Sequence, residues 1–314
     1  MQYLMSLNPV SLFRAMPGSI AQGMIWGIMA LGVYITFRLL DFADMTVDGS
    51  LALGAAVAVM LIRGGVHPVL ALPFAFLAGM FAGLITGFLH TAMGIPGILA
   101  GILTQISLYS INLNIMGKAN QPVSVDNYPL VVSLRYVTDS MSSRIVFFIG
   151  VILFLLALVG ILYWYFGTEQ GHAIRATGCN GNMARAQGNN TNFIKVLTLM
   201  IGNGLVGLCG GMYAQFQGAA DVNMGRGAIV IGLASIIIGE VLLGKFVSKR
   251  KHAFAFTLIS VIIGAIIYYM VYQFVLWLKM PSENMKLFSA IVVAIFLSIP
   301  YLKEKKALKK GVVK

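Results

Sequence analysis

The sequence predicts an all-α polytopic membrane protein, and three observations carry that prediction. Of its 314 residues, 59% are hydrophobic and 10% are charged, whereas soluble domains carry about 25% charged residues. Its apolar runs reach the length of roughly 20 residues with which a helix crosses a bilayer. They lack the alternation typical of barrel strands, and only helices or closed barrels satisfy the backbone in lipid. An ordinary soluble protein is therefore excluded.

Apolar runs separated by polar or glycine-rich breaks predict about eight or nine transmembrane helices. The runs cover residues 19–37, 47–62, 69–92, 96–116, 145–166, 193–215, 228–247, 253–278 and 287–302. Pro96 stands between glycines in "MGIPGILAG", which favours an interrupted helix among the early runs. No linker or low-complexity segment divides the chain. Residues 1–314 are therefore expected to form one transmembrane domain.

The positive charges indicate an orientation and do not suggest a nucleic-acid partner. The net charge is +12, but the positive residues gather in short loops and near the C-terminal end, as the positive-inside rule describes. The clusters at 249–252 and 303–310 are two predicted spans apart, so both are expected to be cytoplasmic. Two more spans back, the polar segment 169–192 falls on the same side, and the loop 118–143 falls outside.

Four carboxylates next to or within the apolar runs allow a functional and a structural interpretation. Asp41, Asp44 and Asp48 have the spacing of one helical face and would line a path; alternatively they form a polar turn in which Asp44 caps the second helix. Glu240 lies in an apolar run with Lys245 as its nearby partner in sequence. It would couple protons or contact substrate, or it would be a buried, hydrogen-bonded carboxylate near a cytoplasmic helix end.

Other motifs fail on chemistry or indicate packing. "GEVLLGKF" matches the start of a phosphate-binding loop, but Phe246 stands where Ser or Thr would hold magnesium. Metal-binding histidine spacings and the GxSxG motif do not occur. We therefore expect no catalytic residue, metal site or cofactor in this chain, and no enzyme activity. Gly207 and Gly211 belong to small-residue repeats that let helices approach closely, within one subunit or at a dimer face.

A polar stretch, "EQGHAIRATGCNGNMARAQGNNTNFIKV", interrupts the apolar chain at residues 169–196. Gly178 and Gly181 break its pattern, which predicts two short helices joined by a glycine turn. A helix of a few turns is marginal alone. It is therefore expected to dock on the membrane domain or on a cytoplasmic partner, with a plain structured loop as the simpler alternative.

Three stretches in chain order resemble the permease subunits of ABC importers of the branched-chain amino acid and ribose type. They are the segment beginning "GHAIRATGCNGNMARAQGNN", the stretch "DMTVDGSLALGAAVA" and the stretch "GIPGILAGILT". The resemblance covers most of the chain from about residue 20 to residue 244. "FADMTVDGS" and "NMGRGAIVIGLASIIIGEVLLG" resemble most the branch linked with aromatic amino acids such as tyrosine or tryptophan.

The resemblance implies that segment 169–192 contains a coupling helix, which fits a cleft of a separate ATP-hydrolysing subunit. Residues carried over by motif are Gly171, Ala173, Arg175, Ala176, Asn182, Ala184 and Gly188, and Arg185 adds an exposed cation beside them. The implied partners are a cytoplasmic ATPase that holds ATP and magnesium, a second permease copy or homologue, an external substrate-binding protein and the lipid bilayer. The implied location is the bacterial cytoplasmic membrane, with a cytoplasmic C-terminus.

The expected function is import of a small solute through a path lined or supported by a few residues of the spans. These are Asp44, Asp48, Pro96, Gln105, Gly207, Gly211 and Glu240. The solute is expected to be an amino acid, with nucleosides and sugars left open. One alternative is an ion-driven transporter that uses Glu240 with Asp41, Asp44 and Asp48 as coupling carboxylates, and another is a membrane scaffold that transports nothing.

Overall fold

The structure, a computed structural model, describes residues 9–138, 140–247 and 252–278 and a few isolated positions beyond them. The described part is helical apart from one short antiparallel ribbon. The helices are α1 (Pro9–Val33), α2 (Val47–Arg63), α3 (Pro68–Thr91), α4 (Gly97–Met116), α5 (Leu134–Thr138), α6 (Met141–Phe166), α7 (Glu169–Cys179), α8 (Gly181–Ala186), α9 (Thr191–Gln217), α10 (Ala228–Val247) and α11 (Ala253–Trp277). The ribbon pairs β1 (Asn120–Pro122) with β2 (Ala219–Asp221).

Six of the described helices are long and apolar enough to cross a membrane, as expected for a polytopic protein. They are α1 with its π-helical extension Tyr34–Leu39, α3, α4, α6, α9 and α11. The predicted runs 47–62 and 228–247 form α2, which has 17 residues, and α10, in which Ala228–Gly244 is a shorter apolar helix. The predicted run 287–302 lies outside the described residues except for isolated positions. The count of eight or nine spans stays a prediction.

The helix interruption predicted at Pro96 is a turn between two complete helices. Pro96 immediately precedes the first residue of α4, where a fixed φ suits a helix start and no N–H is needed. Gly94 in the same turn has φ +69°, which glycine adopts without strain. Two non-helical segments reach into the bundle elsewhere. One precedes α2 at residues 40–46, and the other precedes α10 at residues 222–227.

Helix α9 is the centre of the bundle and packs against α1, α2 and α3. Its contact with α3 depends on glycines, because a Cβ at Gly79 or Gly83 would overlap the α9 backbone. Gly207 faces the α3 backbone, and Gly211 contacts Ala75 on the same helix. Close helix approach through small residues is the usual packing device in membranes. These two glycines therefore pack helices within one subunit.

The bundle has two distinguishable ends. At one end, which we call the α7–α8 end, Gly178 contacts the backbone of Leu39, and the Tyr163 hydroxyl lies 2.9 Å from Nδ1 of His252. The opposite end, which we call the ribbon end, carries β1, β2 and α5. Helix α2 starts between these ends, since Gly49 packs against Gln105 in the middle of α4.

Candidate coupling surface and membrane cavity

Helix α7 is held against the bundle by one of its faces. The Oγ1 atom of Thr168 accepts a hydrogen bond from the Gly171 N–H at 3.5 Å and starts the helix. Gly171, Ile174 and Thr177 are buried at helical spacing. A Cβ at Gly171 would overlap the backbone of Phe166. The position of α7 therefore depends on a glycine that lets it approach the end of α6 closely.

Arg175 contacts two neighbouring helices. Its Nη2 donates to the carbonyl oxygen of Phe166 at 3.3 Å, and its guanidinium carbon lies 4.1 Å from the centre of the Phe254 ring. Such a cation–π contact contributes about 0.5–2 kcal/mol, depending on desolvation. Ala173 and Ala176 on the same helix are half-buried. Arg175 thus ties α7 to α6 and α11.

The joint between α7 and α8 is Asn180, so the predicted glycine turn is wrong. Gly178 lies within α7 and Gly181 is the first residue of α8. Asn180 is extended, with φ −158° and ψ 96°, and its Oδ1 accepts from the Met183 N–H at 3.0 Å. An asparagine cap satisfies an orphan donor of the new helix, which a glycine cannot do.

Helix α8 is anchored by Ala184 and otherwise faces outward. Ala184 is buried, and Gly188 has φ +89° after the helix ends. Asn182 and Arg185 are exposed, and Arg185 also donates from Nη2 to Thr191 Oγ1 at 3.0 Å. Between them Met183 is 60% exposed. The surface of α8 is thus an exposed apolar side chain flanked by an amide and a cation.

The segment before α2 is not helical, so the three aspartates do not share a helical face. Asp41 is exposed with φ +57°, a conformation that Asp tolerates better than most residues. Asp44 is 2% exposed, and Asp48 is in the first turn of α2. A chain that turns at residues 40–46 presents each carboxylate to different surroundings.

Asp44 belongs to a buried polar cluster between α2 and α9. It accepts from Asn203 Nδ2 at 2.6 Å and from the Thr46 N–H at 2.9 Å. Ser50 Oγ donates in turn to Asn203 Oδ1 at 2.7 Å. The predicted capping of α2 by Asp44 is wrong in detail, because its carboxylate binds the residue before the helix. A cluster satisfied in this way fixes the segment against α9.

Asp48 joins the N-termini of two helices. Its side chain accepts from the N–H of Gly227 at 2.8 Å and of Ile229 at 3.1 Å, where α10 begins. Asp48 itself lies in the first turn of α2. Helix N-termini favour negative charge. The carboxylate therefore holds together two helices that both begin inside the bundle.

A cavity of about 250 Å³ opens beside Asp48, between α2, α4 and the segment before α10. Its lining residues are Asp48, Gly49, Gln105, Ile106, Tyr109, Ser110, Asn112, Val222 and Arg226. The same face of α4 exposes Ser107, Ser110 and Asn114 at helical spacing. Polar groups at membrane depth are costly in lipid and usually line a cavity or a water-filled path. This face of α4 has the composition of such a lining.

The cavity includes two of the residues predicted for the path. Asp48 and Gln105 line it, whereas Asp44, Gly207 and Gly211 lie in the packed bundle and Pro96 lies in the α3–α4 turn. Arg226 and Asn112 were missed by the sequence analysis. Arg226 carried a signal in "NMGRG", where a cation between glycines precedes an apolar run. Asn112 had no comparable signal, since one Asn within a helix is ordinary.

Glu240 lies at the α7–α8 end and not in the cavity. Its two carboxylate oxygens accept from Nε and Nη2 of Arg38, each at 3.0 Å. The side chain of Lys245, its predicted neighbour, lies outside the described residues. A bidentate pair is the stronger arrangement of these groups. It links the end of the first span to α10.

Comparison with known proteins identifies the chain. Residues 16–297 match the family model described as branched-chain amino acid transport system / permease component. The chain belongs to this permease family. It is 40% identical over 277 residues to the tyrosine transport system permease protein of Clostridioides difficile, which covers 88% of each chain.

More distant relatives of this permease are also transport subunits. It is 26% identical over 241 residues to the probable branched-chain amino acid transport permease protein LivH of Methanocaldococcus jannaschii, covering 71% of this chain and 72% of that one. It is 27% identical over 244 residues to the autoinducer 2 import system permease protein LsrC of Yersinia pseudotuberculosis strain YPIII, covering 76% and 64%. No solved structure shows a significant match.

The chain is therefore a membrane permease subunit of the ABC importer type, in agreement with the motif resemblance. Such subunits are transport components and not enzymes. The ion-driven alternative built on Glu240 and the aspartates receives no support from these relatives.

Proposed function

We propose that this permease imports an amino acid, with tyrosine as the first candidate, and that ATP hydrolysis by a separate subunit drives the import. The observation that carries the choice of substrate is the 40% identity to a tyrosine permease across 88% of both chains. The cavity beside Asp48 is consistent with it, since about 250 Å³ is below the range of roughly 300–1,000 Å³ that holds drug-sized ligands. It suits one small polar solute.

The ATPase is proposed to dock on the face of α8 that points away from the helix bundle. Met183 offers it an apolar contact, and Asn182 and Arg185 offer polar ones. Gly171 and Arg175 hold α7 against the ends of α6 and α11, so a movement of the ATPase against α8 would be passed to these spans. This assigns the α7–α8 end to the cytoplasm, with ATP and magnesium bound by the partner subunit.

A second permease copy or homologue and an external binding protein complete the proposed importer. The polar face of α4, with Ser107, Ser110 and Asn114, is exposed in a single chain. Two copies that meet across this face would enclose a polar path and keep these groups out of lipid. The binding protein would deliver solute at the ribbon end. The bacterial cytoplasmic membrane is the setting that fits these partners.

Uptake by the purified complex in proteoliposomes tests this proposal. We reconstitute the permease together with the ATPase that copurifies with it, and add the binding protein. Uptake of labelled L-tyrosine is then measured with and without ATP on the ATPase side of the membrane, in the presence of an uncoupler. We expect ATP-dependent uptake that survives collapse of proton and sodium gradients. Uptake that follows an imposed ion gradient and ignores ATP contradicts the proposal.

A further inference from the structure

The charged groups that line the cavity beside Asp48 indicate what kind of ligand it binds, which the family assignment does not specify. Two groups of opposite charge line it, the carboxylate of Asp48 and the guanidinium of Arg226. They come from different elements, since Asp48 lies in the first turn of α2 and Arg226 lies in the turn that precedes α10. No ion pair joins them among the described contacts. The cavity therefore offers one anionic and one cationic contact to a ligand.

The carboxylate is fixed and the guanidinium is accessible. Asp48 already accepts two backbone N–H groups, from Gly227 and Ile229, which fix the position of its carboxyl group. Arg226 is exposed, and a cation at this depth is costly in lipid, so it requires water or an anionic partner. A planar guanidinium binds a carboxylate through two parallel hydrogen bonds.

A third observation comes from Asn112, a cavity-lining residue of α4. Its side chain is 1% exposed, and its Oδ1 is a buried acceptor without a donor among the described residues. Its Nδ2 donates only a long bond of 3.4 Å to the Gly49 carbonyl. A buried acceptor left without a donor is destabilising. A ligand in the cavity that Asn112 lines would supply this donor, for example through an ammonium group.

We propose that this cavity binds the zwitterionic end of an amino acid during transport. Arg226 binds the α-carboxylate, Asp48 and Asn112 accept from the α-ammonium, and the solute side chain lies against Ile106 and Tyr109. The inference rests on the proposed import of an amino acid and adds the groups that recognise it. It predicts that both charges of the solute are required, whatever its side chain.

Direct binding to the purified permease–ATPase complex, without the binding protein, tests the role of Arg226. The probes are L-tyrosine, tyramine, which lacks the carboxylate, and 3-(4-hydroxyphenyl)propionate, which lacks the ammonium. Loss of a charge-assisted bidentate contact should raise the Kd of L-tyrosine about tenfold or more in Arg226→Gln. The Kd of tyramine should change less than about twofold, because tyramine has no group for Arg226 to bind.

Two further variants serve as controls. Arg226→Lys keeps the positive charge but loses the planar group that makes two parallel hydrogen bonds, and it should give an intermediate Kd for L-tyrosine. Arg14→Gln removes the same charge from an exposed position in α1 and should leave all three Kd values unchanged. Equal weakening of L-tyrosine and tyramine in Arg226→Gln would show a general disturbance of the cavity and overturn the assignment.

Asn112→Leu provides a test that does not depend on Arg226. Removal of an unsatisfied buried oxygen should raise the apparent melting temperature of the empty complex. The same change should weaken L-tyrosine more than 3-(4-hydroxyphenyl)propionate. A variant that is less stable, or that weakens both probes equally, contradicts the role given to Asn112.

Failure of this inference is distinguishable from failure of the proposed function. If the wild-type complex takes up L-tyrosine with ATP but shows no saturable binding, or if Arg226→Gln leaves discrimination against tyramine unchanged, the cavity assignment alone is wrong. If the complex takes up no amino acid with ATP, the proposed substrate is wrong and the inference falls with it.

Discussion

The two polar regions of this permease satisfy their polar groups in opposite ways. In the α7–α8 segment, Asn180 and Thr168 cap their own short helices, and contact with the bundle is made mainly by small or apolar residues and Arg175. Around the start of α2, Asp44 and Asp48 bind groups more than 150 residues away in sequence. The first region is built locally and leaves an outer face free for a partner. The second ties distant spans together.

The difference teaches where each region is sensitive to mutation. A local cap contributes about 1 kcal/mol and affects one helix. A buried carboxylate in a shared network leaves several groups unpaired when it is changed. Mutations around α2 should therefore act on the stability of the whole chain, and mutations in α8 should act on its partner.

The largest expected effect is that of Asp44→Asn. The new amide places a donor against Asn203 Nδ2 or the Thr46 N–H, so one buried donor loses its acceptor at a cost of about 1–3 kcal/mol. The apparent melting temperature in detergent should fall by several degrees. Asp41→Asn is the matched control, because Asp41 is exposed and Asn tolerates its positive φ. If both changes lower the melting temperature equally, the buried network around Asp44 is no more sensitive to mutation than an exposed turn.

A slightly smaller effect is expected from Gly171→Ala, and it should appear in transport. The added Cβ overlaps the Phe166 backbone, so α7 must shift at a cost of about 1–3 kcal/mol. ATP-dependent uptake should fall about tenfold with the protein still folded. At Gly181 an added Cβ has open space, and Gly181→Ala should transport normally. If both variants transport alike, the close approach of α7 to α6 is not required for transport.

A small effect is expected from Glu240→Gln. The Arg38–Glu240 pair is partly exposed, with side-chain exposures of 55% and 30%, and such pairs contribute about 0–1 kcal/mol. ATP-driven uptake should stay within about twofold of the wild type. Abolished uptake would make Glu240 a coupling carboxylate and would favour an ion-driven mechanism.

The smallest effect is expected in the loop at the ribbon end. The Arg135 guanidinium lowers the pKa of the exposed Asp126 carboxyl, with a further hydrogen bond from Ser124. A lowered pKa stabilises the folded state at pH values above the usual Asp range and loses that contribution as the pH falls through the lowered value. Because both side chains are more than half exposed, the melting temperatures of Asp126→Asn and wild type should coincide at pH 7.

The sequence predicted the positions of most described helices well because apolar length is a local property. Most long helices begin and end within a few residues of the predicted runs, since polar breaks such as "GGVH" and "GIPG" are readable one segment at a time. Helix α1 begins before the predicted run at residue 19, because Pro17 lies within the helix and does not interrupt it. Asn180 replaced the predicted glycine turn because a cap depends on one hydrogen bond that composition does not show.

The site was less predictable because its partners come from distant segments. Asp48 and Gln105 were singled out, but nothing local indicates that Asp48 caps α10 or that Arg226 lies beside it. Glu240 was judged against Lys245, its neighbour in sequence, whereas the bundle places Arg38 against it. Pairings across about 200 residues follow from helix packing and not from spacing along one helix.

The most direct test of the central claim is copurification of an ATPase with the tagged permease in mild detergent. The test variant is Asn182→Ala/Met183→Gln/Arg185→Ala, and the matched control is Met93→Gln, since Met93 is 61% exposed at the same end of the bundle. We predict that wild type and control retain a P-loop ATPase and that the triple variant, equally stable, loses it. An ATPase retained by the triple variant, or absent from the wild type, would contradict coupling through α8.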